Sequence, residues 1–208
     1  MTKRIPWTTR YKIDLPEGES GDWLIRKISV SESQAARDML RGMFGNYGRC
    51  VPEGTYTQLM HNTTIVMSDT PDEIRDHMGP INVAKSFGGH VLINGLGLGM
   101  VAAAVANMDN VEKVTVIELS EDVIKLVEPT LTSRFGDKIE IIHADCFEYK
   151  PAKGMKFSVA WHDIWDSISI DNLPEMATLN RRYGQRARWQ GAWAQDLCKR
   201  MRHDEFRW

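Results

Sequence analysis

The sequence predicts an α/β fold built on a parallel sheet, and three observations predict it. Short apolar runs alternate with helical segments between His90 and Asp163, a rhythm that implies parallel strands with helices on their faces. A glycine-rich turn, NGLGLG (Asn94 to Gly99), follows the first of those runs and opens a helical stretch. Polar side chains stand where each run ends: Asn94, Glu118, Asp145 and Asp163. In open parallel sheets ligands bind beyond the carboxyl ends of the strands, near the reversal of strand order, so these four positions define the candidate site.

The elements follow in order. Residues 1 to about 20 read as an irregular arm punctuated by Pro6, Pro16 and Gly18. DWLIRKISV (Asp22 to Val30) reads as a strand. SESQAARDMLRGMFG follows as a helix, with Ser31 and Gln34 spaced as a capping box and Gly45 as its stop. Its apolar stripe is Ala35, Met39, Leu40, Met43 and Phe44. GTYTQLMHNTTIVMSD reads as a hairpin turning near His61-Asn62. TPDEIRDHMG gives a short helix with Thr70 as cap and Pro71 at its first position.

HVLIN, VEKVTVIEL, KIEIIHAD and KFSVAWHD are the four parallel strands. An Ala-rich helix from Leu98 to Met108 and a helix begun by Ser120 lie between them. After Asp163 no segment reads as a strand. Pro174 can start a helix that Gly184 breaks, and Trp189, Trp193, Leu197 and Met201 recur four apart as one helical stripe. The chain therefore divides into an N-terminal α+β extension (1–80), a cofactor-binding domain (81–170) and a basic, Trp-rich helical segment (171–208).

Composition narrows the function classes. With 208 residues, 42% hydrophobic and 26% charged, the chain has room for one ordinary domain plus an elaboration. No apolar stretch approaches the roughly 20 residues that span a bilayer, and the basic N-terminus has no apolar signal core. Cys50, Cys146 and Cys198 form no C-x-x-C pair, so neither a disulfide framework nor a zinc site is expected, and a reducing cytoplasm is the expected home. Arg181 to Trp208 holds eight Lys and Arg against three Asp and Glu, in a chain of net charge -2. That basic end could meet an anionic partner, nucleic acid included, or the acidic body of its own protein.

The strand ends carry the chemistry. Gly95, Gly97 and Gly99 allow a tight turn whose amides and following helix N-terminus can approach an anionic or polar ligand, or else serve close packing. A dinucleotide fingerprint would need glycine at position 100, where Met100 stands. Glu118, about 20 residues beyond the glycines, can accept hydrogen bonds from both hydroxyls of a ribose, or be a solvated loop residue. Asp145 can accept the exocyclic amine of an adenine while Cys146 donates its backbone amide, or cap the residues that follow. In HDIWDS, Asp163 and Asp166 lie three apart beside His162, which strand alternation turns to the other face.

VLINGLGLG, VTVIELSEDVIKL, IEIIHADCFEY and FSVAWHDIWDS together resemble the class I S-adenosylmethionine-dependent methyltransferases, and within them the spermidine synthase (aminopropyltransferase) branch. The resemblance covers roughly His90 to Ser167 and, more loosely, Gly54 to Gly79. It implies a Rossmann-like methyltransferase fold with a truncated parallel sheet and S-adenosyl-L-methionine as cofactor. The turn around Gly95, Leu96, Gly97 and Gly99 would wrap its methionine part. Glu118 would bind the ribose, Leu119 beside it would also belong to the cofactor site, and Asp145 with Cys146 would bind the adenine. Asp163 and Asp166 match the D-x-x-D pattern whose first aspartate binds and deprotonates the attacking amine, so both are the candidate catalytic residues, with Asp163 also beside the cofactor. Ile93 stands where many methyltransferases carry an acid and spermidine synthases tolerate an apolar residue; the chain departs from the branch at Leu98, where an aspartate would be, and at Asp76, where an amine-contacting tyrosine would be.

The expected function is an S-adenosylmethionine-dependent methyltransferase acting on an amine, another small molecule or a macromolecule. Aminopropyl transfer and a non-catalytic cofactor-binding module are the alternatives. Seven strands are usual in this superfamily, and four leave the last with an open edge. A homo-oligomer, the N-terminal strands or the Trp-rich C-terminal helix is expected to cover it.

Overall fold

The computed structural model describes residues 7–43 and 50–205. Nine strands and seven α-helices are described: β1 (Gly18–Ser20), β2 (Trp23–Val30), α1 (Glu32–Met43), β3 (Gly54–His61), β4 (Thr64–Ser68), α2 (Pro71–Asp76), α3 (Met78–Phe87), β5 (Gly89–Asn94), α4 (Met100–Ala106), β6 (Val111–Glu118), α5 (Glu121–Phe135), β7 (Ile139–His143), β8 (Phe157–His162), α6 (Leu173–Tyr183), β9 (Ala187–Ala192) and α7 (Gln195–Glu205). They form two sheets. β1-β2-β3-β4 is an antiparallel meander, and β7-β6-β5-β8-β9 is wholly parallel. This is a Rossmann-like α/β fold, with β5 central and the order reversing between β5 and β8.

Local chemistry explains the boundaries. The Ser31 capping box forms as its spacing predicts: the Ser31 amide donates to Gln34 Oε1 at 2.9 Å, and the Gln34 amide reaches Ser31 Oγ at 3.4 Å. Ser120 caps α5 by accepting from the Val123 amide. Asn62, at φ +52°, turns the β3–β4 hairpin, a conformation Asn tolerates better than most residues. Gly45 and Phe44, the expected end of α1, lie outside the described residues. Met39 of the expected apolar stripe is 61% exposed; the side chains of Leu40, Met43 and Phe44 lie outside the described residues.

The parallel sheet is covered on both faces, and strand alternation sorts its residues. Val91, Ile93, Val114, Val116, Val159 and Trp161 face α3, α4 and α5. Leu92, Ile117 and Ala160 face α6, where Leu179 and Tyr183 are fully buried. Ile25 and Leu59 of the meander belong to the first of these cores. Ser20 Oγ also donates to Asp122 Oδ1 on α5 at 2.7 Å, so the N-terminal strands pack directly on the helices of the parallel sheet.

The C-terminal segment differs from the sequence expectation. Residues 187–192 form β9, which pairs with β8 in parallel register (Trp161 opposite Gly191) and covers the edge expected to be open. The helical stripe is split: Trp189 lies in β9, Trp193 follows it, and only Leu197 and Met201 are on α7, where they are 38% and 39% exposed. The physical reason is the unpaired backbone of β8, whose hydrogen-bonding demand outweighs an i,i+4 apolar spacing interrupted by Gly191. Three arginines of this segment serve the fold. Arg182 donates to the Tyr149 carbonyl, Arg186 to those of Ala152 and Met155, and Arg188 lies 3.8 Å from the centre of the Phe87 ring.

Candidate functional site

The glycine turn is fastened on three sides. Gly95 donates to the Ile117 carbonyl at 2.8 Å, and the Asp163 amide donates to the Asn94 carbonyl at 2.8 Å, so the ends of β5, β6 and β8 converge. Gly95 sits at φ +95°, and a Cβ there would lie 2.0 Å from the Asp163 carbonyl oxygen. Only glycine lets the two chains approach this closely. Gly97 and Gly99 continue the turn at φ +50° and +71°, with Gly99 at the start of α4. Leu96, between Gly95 and Gly97, is buried.

Glu118 is built into this turn. Its Oε2 accepts from the Leu96 amide at 2.7 Å and its Oε1 from the Ser120 amide at 2.8 Å, which rules out a solvated loop carboxylate. Each oxygen has a second lone pair for a ligand. Leu119 beside it is 69% exposed, a large apolar side chain presented to solvent next to a fixed carboxylate. The Ala144 amide donates to the Glu118 carbonyl at 2.9 Å and so brings Asp145 alongside. Asp145 Oδ1 accepts from the Phe147 amide at 2.7 Å, the local turn-capping geometry that sequence reasoning kept open. Burial, reinforced by the Asp145 charge, pushes the Cys146 thiol up to about 12, so that thiol stays protonated and is no nucleophile.

Asp163 meets a partner that sequence reasoning missed. His77, at the α2–α3 junction, places Nε2 at 2.6 Å from Asp163 Oδ2, and its Nδ1 at 2.6 Å from the Glu73 carbonyl. A carbonyl only accepts, so Nδ1 carries a proton. The short contact to Asp163 needs another proton between Nε2 and Oδ2, and the direction of the His77 shift puts it on the imidazole. Burial of His77 opposes its charged form, but the Asp163 charge and hydrogen bond outweigh that and raise its pKa. Asp166 is not brought in: it lies exposed on the loop after β8 and makes no hydrogen bond or ion pair among the described residues. Asp76, next to His77, was singled out from the sequence for standing where a tyrosine would be, and the histidine itself carried no signal.

His162 faces away from Asp163, as strand alternation predicts. It is fully buried against Tyr183, with ring centres 5.5 Å apart, and its Nδ1 accepts from Asn94 Nδ2 at 2.8 Å. Burial lowers its pKa to about 4. A second residue missed from sequence is Met67 on β4. Its thioether lies 3.3 Å from the Leu98 amide and would lie 2.5 Å from a Cβ on Gly97, so the hairpin reaches over the glycine turn. Among the described residues no cluster of three or more His, Cys, Asp or Glu is placed to hold a metal, and no helix is long and apolar enough to cross a membrane.

No family model and no curated protein matches the chain. It overlaps solved structures in part. The methyltransferase CcbJ from Streptomyces caelestis is 18% identical, with 54% of this chain and 45% of that chain covered and a TM-score of 0.44. An rRNA methylase from Streptococcus thermophilus is 12% identical (56% and 64%, TM-score 0.43), and YjhP from E. coli is 17% identical (55% and 44%, TM-score 0.42). The chain spans about half the length of the solved structures it matches. The fold rests on the chain's own strand order, with the glycine turn, Glu118 and Asp163 meeting at the carboxyl edge of β5, β6 and β8.

Proposed function

We propose that this chain is an S-adenosyl-L-methionine-dependent methyltransferase, with its cofactor over the carboxyl ends of β5, β6 and β7 and its acceptor beside Asp163. One observation carries the reading: Glu118 is fixed by the amides of Leu96 and Ser120 beside the exposed Leu119. A rigid carboxylate next to an apolar platform suits a ribose joined to a purine. In this reading the turn from Gly95 to Gly99 receives the methionine end, Glu118 the ribose hydroxyls, and Leu119 the base. Asp145 and the Cys146 amide meet the edge of the adenine.

The cofactor's sulfonium supplies an activated methyl group, which leaves the protein to position and orient the acceptor. Asp163 is fixed by His77 through Oδ2, and its Oδ1 makes no hydrogen bond among the described residues. That oxygen can accept from an acceptor N–H or O–H and aim its lone pair. Asp166, exposed on its loop, has a smaller part in this reading than the D-x-x-D resemblance implies.

Isothermal titration calorimetry with S-adenosylmethionine, its demethylated product and NAD tests the reading. We expect the first two to bind and NAD not to. Glu118→Ala should weaken binding by roughly 1–3 kcal/mol, the scale for removing a buried polar partner. Binding of NAD alone, or of none of the three, overturns the assignment.

A further inference from the structure

A cleft of about 500 Å³ lies between the start of α3 and the junction of β9 with α7, and it reaches Asp76 and Trp161, the chain neighbour and the ring partner of His77. That volume falls in the roughly 300–1,000 Å³ range of small-molecule sites. Its walls are dominated by three indoles. Trp161 of β8 and Trp189 of β9 stack with ring centres 6.4 Å apart and planes within 12° of parallel, and Trp193 stands at the exit of β9. The edge of His77 meets Trp161, with ring centres 6.4 Å apart at 77°, which ties the cleft wall to the residue that holds Asp163.

Two glycines shape the space. A Cβ on Gly191 would lie 2.7 Å from the Trp189 ring and 3.2 Å from Trp161, so glycine there lets both indoles lie across the strand. A Cβ on Gly79 would meet nothing within 4 Å, because that position opens onto the cleft. Ala194, at φ +54°, turns the chain from β9 into α7 and closes the wall. A non-glycine residue in that region costs about 1 kcal/mol or more, which the surrounding packing has to offset.

Charge decides between two kinds of ligand. An ammonium group would favour indole faces joined to surplus negative charge. Here Arg200 lines the cleft as well as Asp76 and Asp196. Asp196 lies 3.8 Å from Lys199, so two basic groups stand against the two carboxylates. Little uncompensated negative charge remains for a cation, while the indole faces favour a flat apolar body.

We propose that this cleft is the acceptor subsite and that it takes a neutral aromatic ring stacked on Trp189 and Trp193, with the group to be modified directed toward Asp163. The inference rests on the methyltransferase reading for the word acceptor, and on the cleft alone for the aromatic ligand.

Saturation-transfer NMR and calorimetry with 2-naphthol and 1,4-diaminobutane as probes test it, alongside S-adenosylmethionine. We expect naphthol to bind saturably and the diamine not to. Gly79→Leu fills the cleft from a helical position with open space, and circular dichroism melting checks that it folds. It should weaken naphthol at least ten-fold and leave S-adenosylmethionine affinity unchanged, and Trp193→Ala should weaken naphthol in the same direction. Preference for the diamine, no naphthol binding, or naphthol binding unchanged in Gly79→Leu overturns the proposal. Naphthol bound and lost in Gly79→Leu, with no S-adenosylmethionine binding to the wild type, leaves the aromatic site standing and removes the methyltransferase reading.

Discussion

His77 Nε2 and Asp163 Oδ2 lie 2.6 Å apart although 86 residues separate them in the chain. Because Nδ1 is committed to the Glu73 carbonyl, this contact needs a second proton between Nε2 and Oδ2, and it joins the α2–α3 junction to the end of β8. The raised pKa of His77 gives the contact a pH dependence of definite sign. A histidine whose folded pKa exceeds its unfolded value of about 6.5 adds stability that is fully present below that value. That stability is lost as pH rises through the folded pKa. Asp163→Asn should therefore cost roughly 1–3 kcal/mol near pH 6 and less near pH 9. Urea unfolding of both proteins at the two pH values measures this, and an equal cost at both would refute the ionic assignment.

His162 has the opposite sign. Burial holds it neutral, with a pKa of about 4, so it stabilises the fold above the unfolded value of about 6.5 and loses that contribution as pH falls toward 4. The loss across this window is on the order of 3 kcal/mol. His162→Phe keeps an aromatic ring against Tyr183 and removes the titration. The slope of unfolding free energy against pH between about 6.5 and 4 should be shallower in the variant, whatever its absolute stability. An unchanged slope would assign the acid lability to other groups.

The three glycines of the turn should respond unequally to alanine. Gly95→Ala drives a Cβ into the Asp163 backbone, which cannot move without breaking the β5–β8 junction, and should cost more than about 3 kcal/mol. Gly97→Ala meets only the end of the Met67 side chain, so its cost should be nearer the 1–2 kcal/mol of a left-handed non-glycine residue. Met67→Ala should partly relieve Gly97→Ala and leave Gly95→Ala unchanged. A double-mutant cycle by thermal unfolding reads the coupling, and additivity of Met67→Ala with Gly97→Ala would show that the thioether does not pack on the turn.

Much of the parallel sheet was legible in the sequence because its determinants are local. Val91 and Ile93 alternate with Leu92 between two cores, and Ser120 announces α5 by its cap. Glu118 was legible by its place at a strand end after a glycine turn. What could not be read depends on distant partners. His77 carries no pattern of its own, and its role exists only where Asp163 meets it. Residues 187–192 have an apolar spacing that suits a helix equally well, and the edge of β8 decides the matter. Met67 reads as one more residue of a β-prone run until the hairpin lies over the glycine turn.

That edge yields a last prediction. β9 satisfies the backbone of β8 and shelters Trp161, whereas α7 packs on α6 mainly through the buried Cys198. The two pieces should therefore fail differently when removed. A chain ending at Ala194 loses α7, retains the β8–β9 pairing, and should stay monodisperse with a lowered melting temperature. A chain ending at Arg186 exposes a flat, apolar parallel edge beside Trp161, the kind of strand that pairs with other copies. It should aggregate or bind a hydrophobic dye at concentrations where the longer chain does neither. Light scattering of both truncations compares them directly. Equal aggregation would mean that α7, and not β9, protects the sheet.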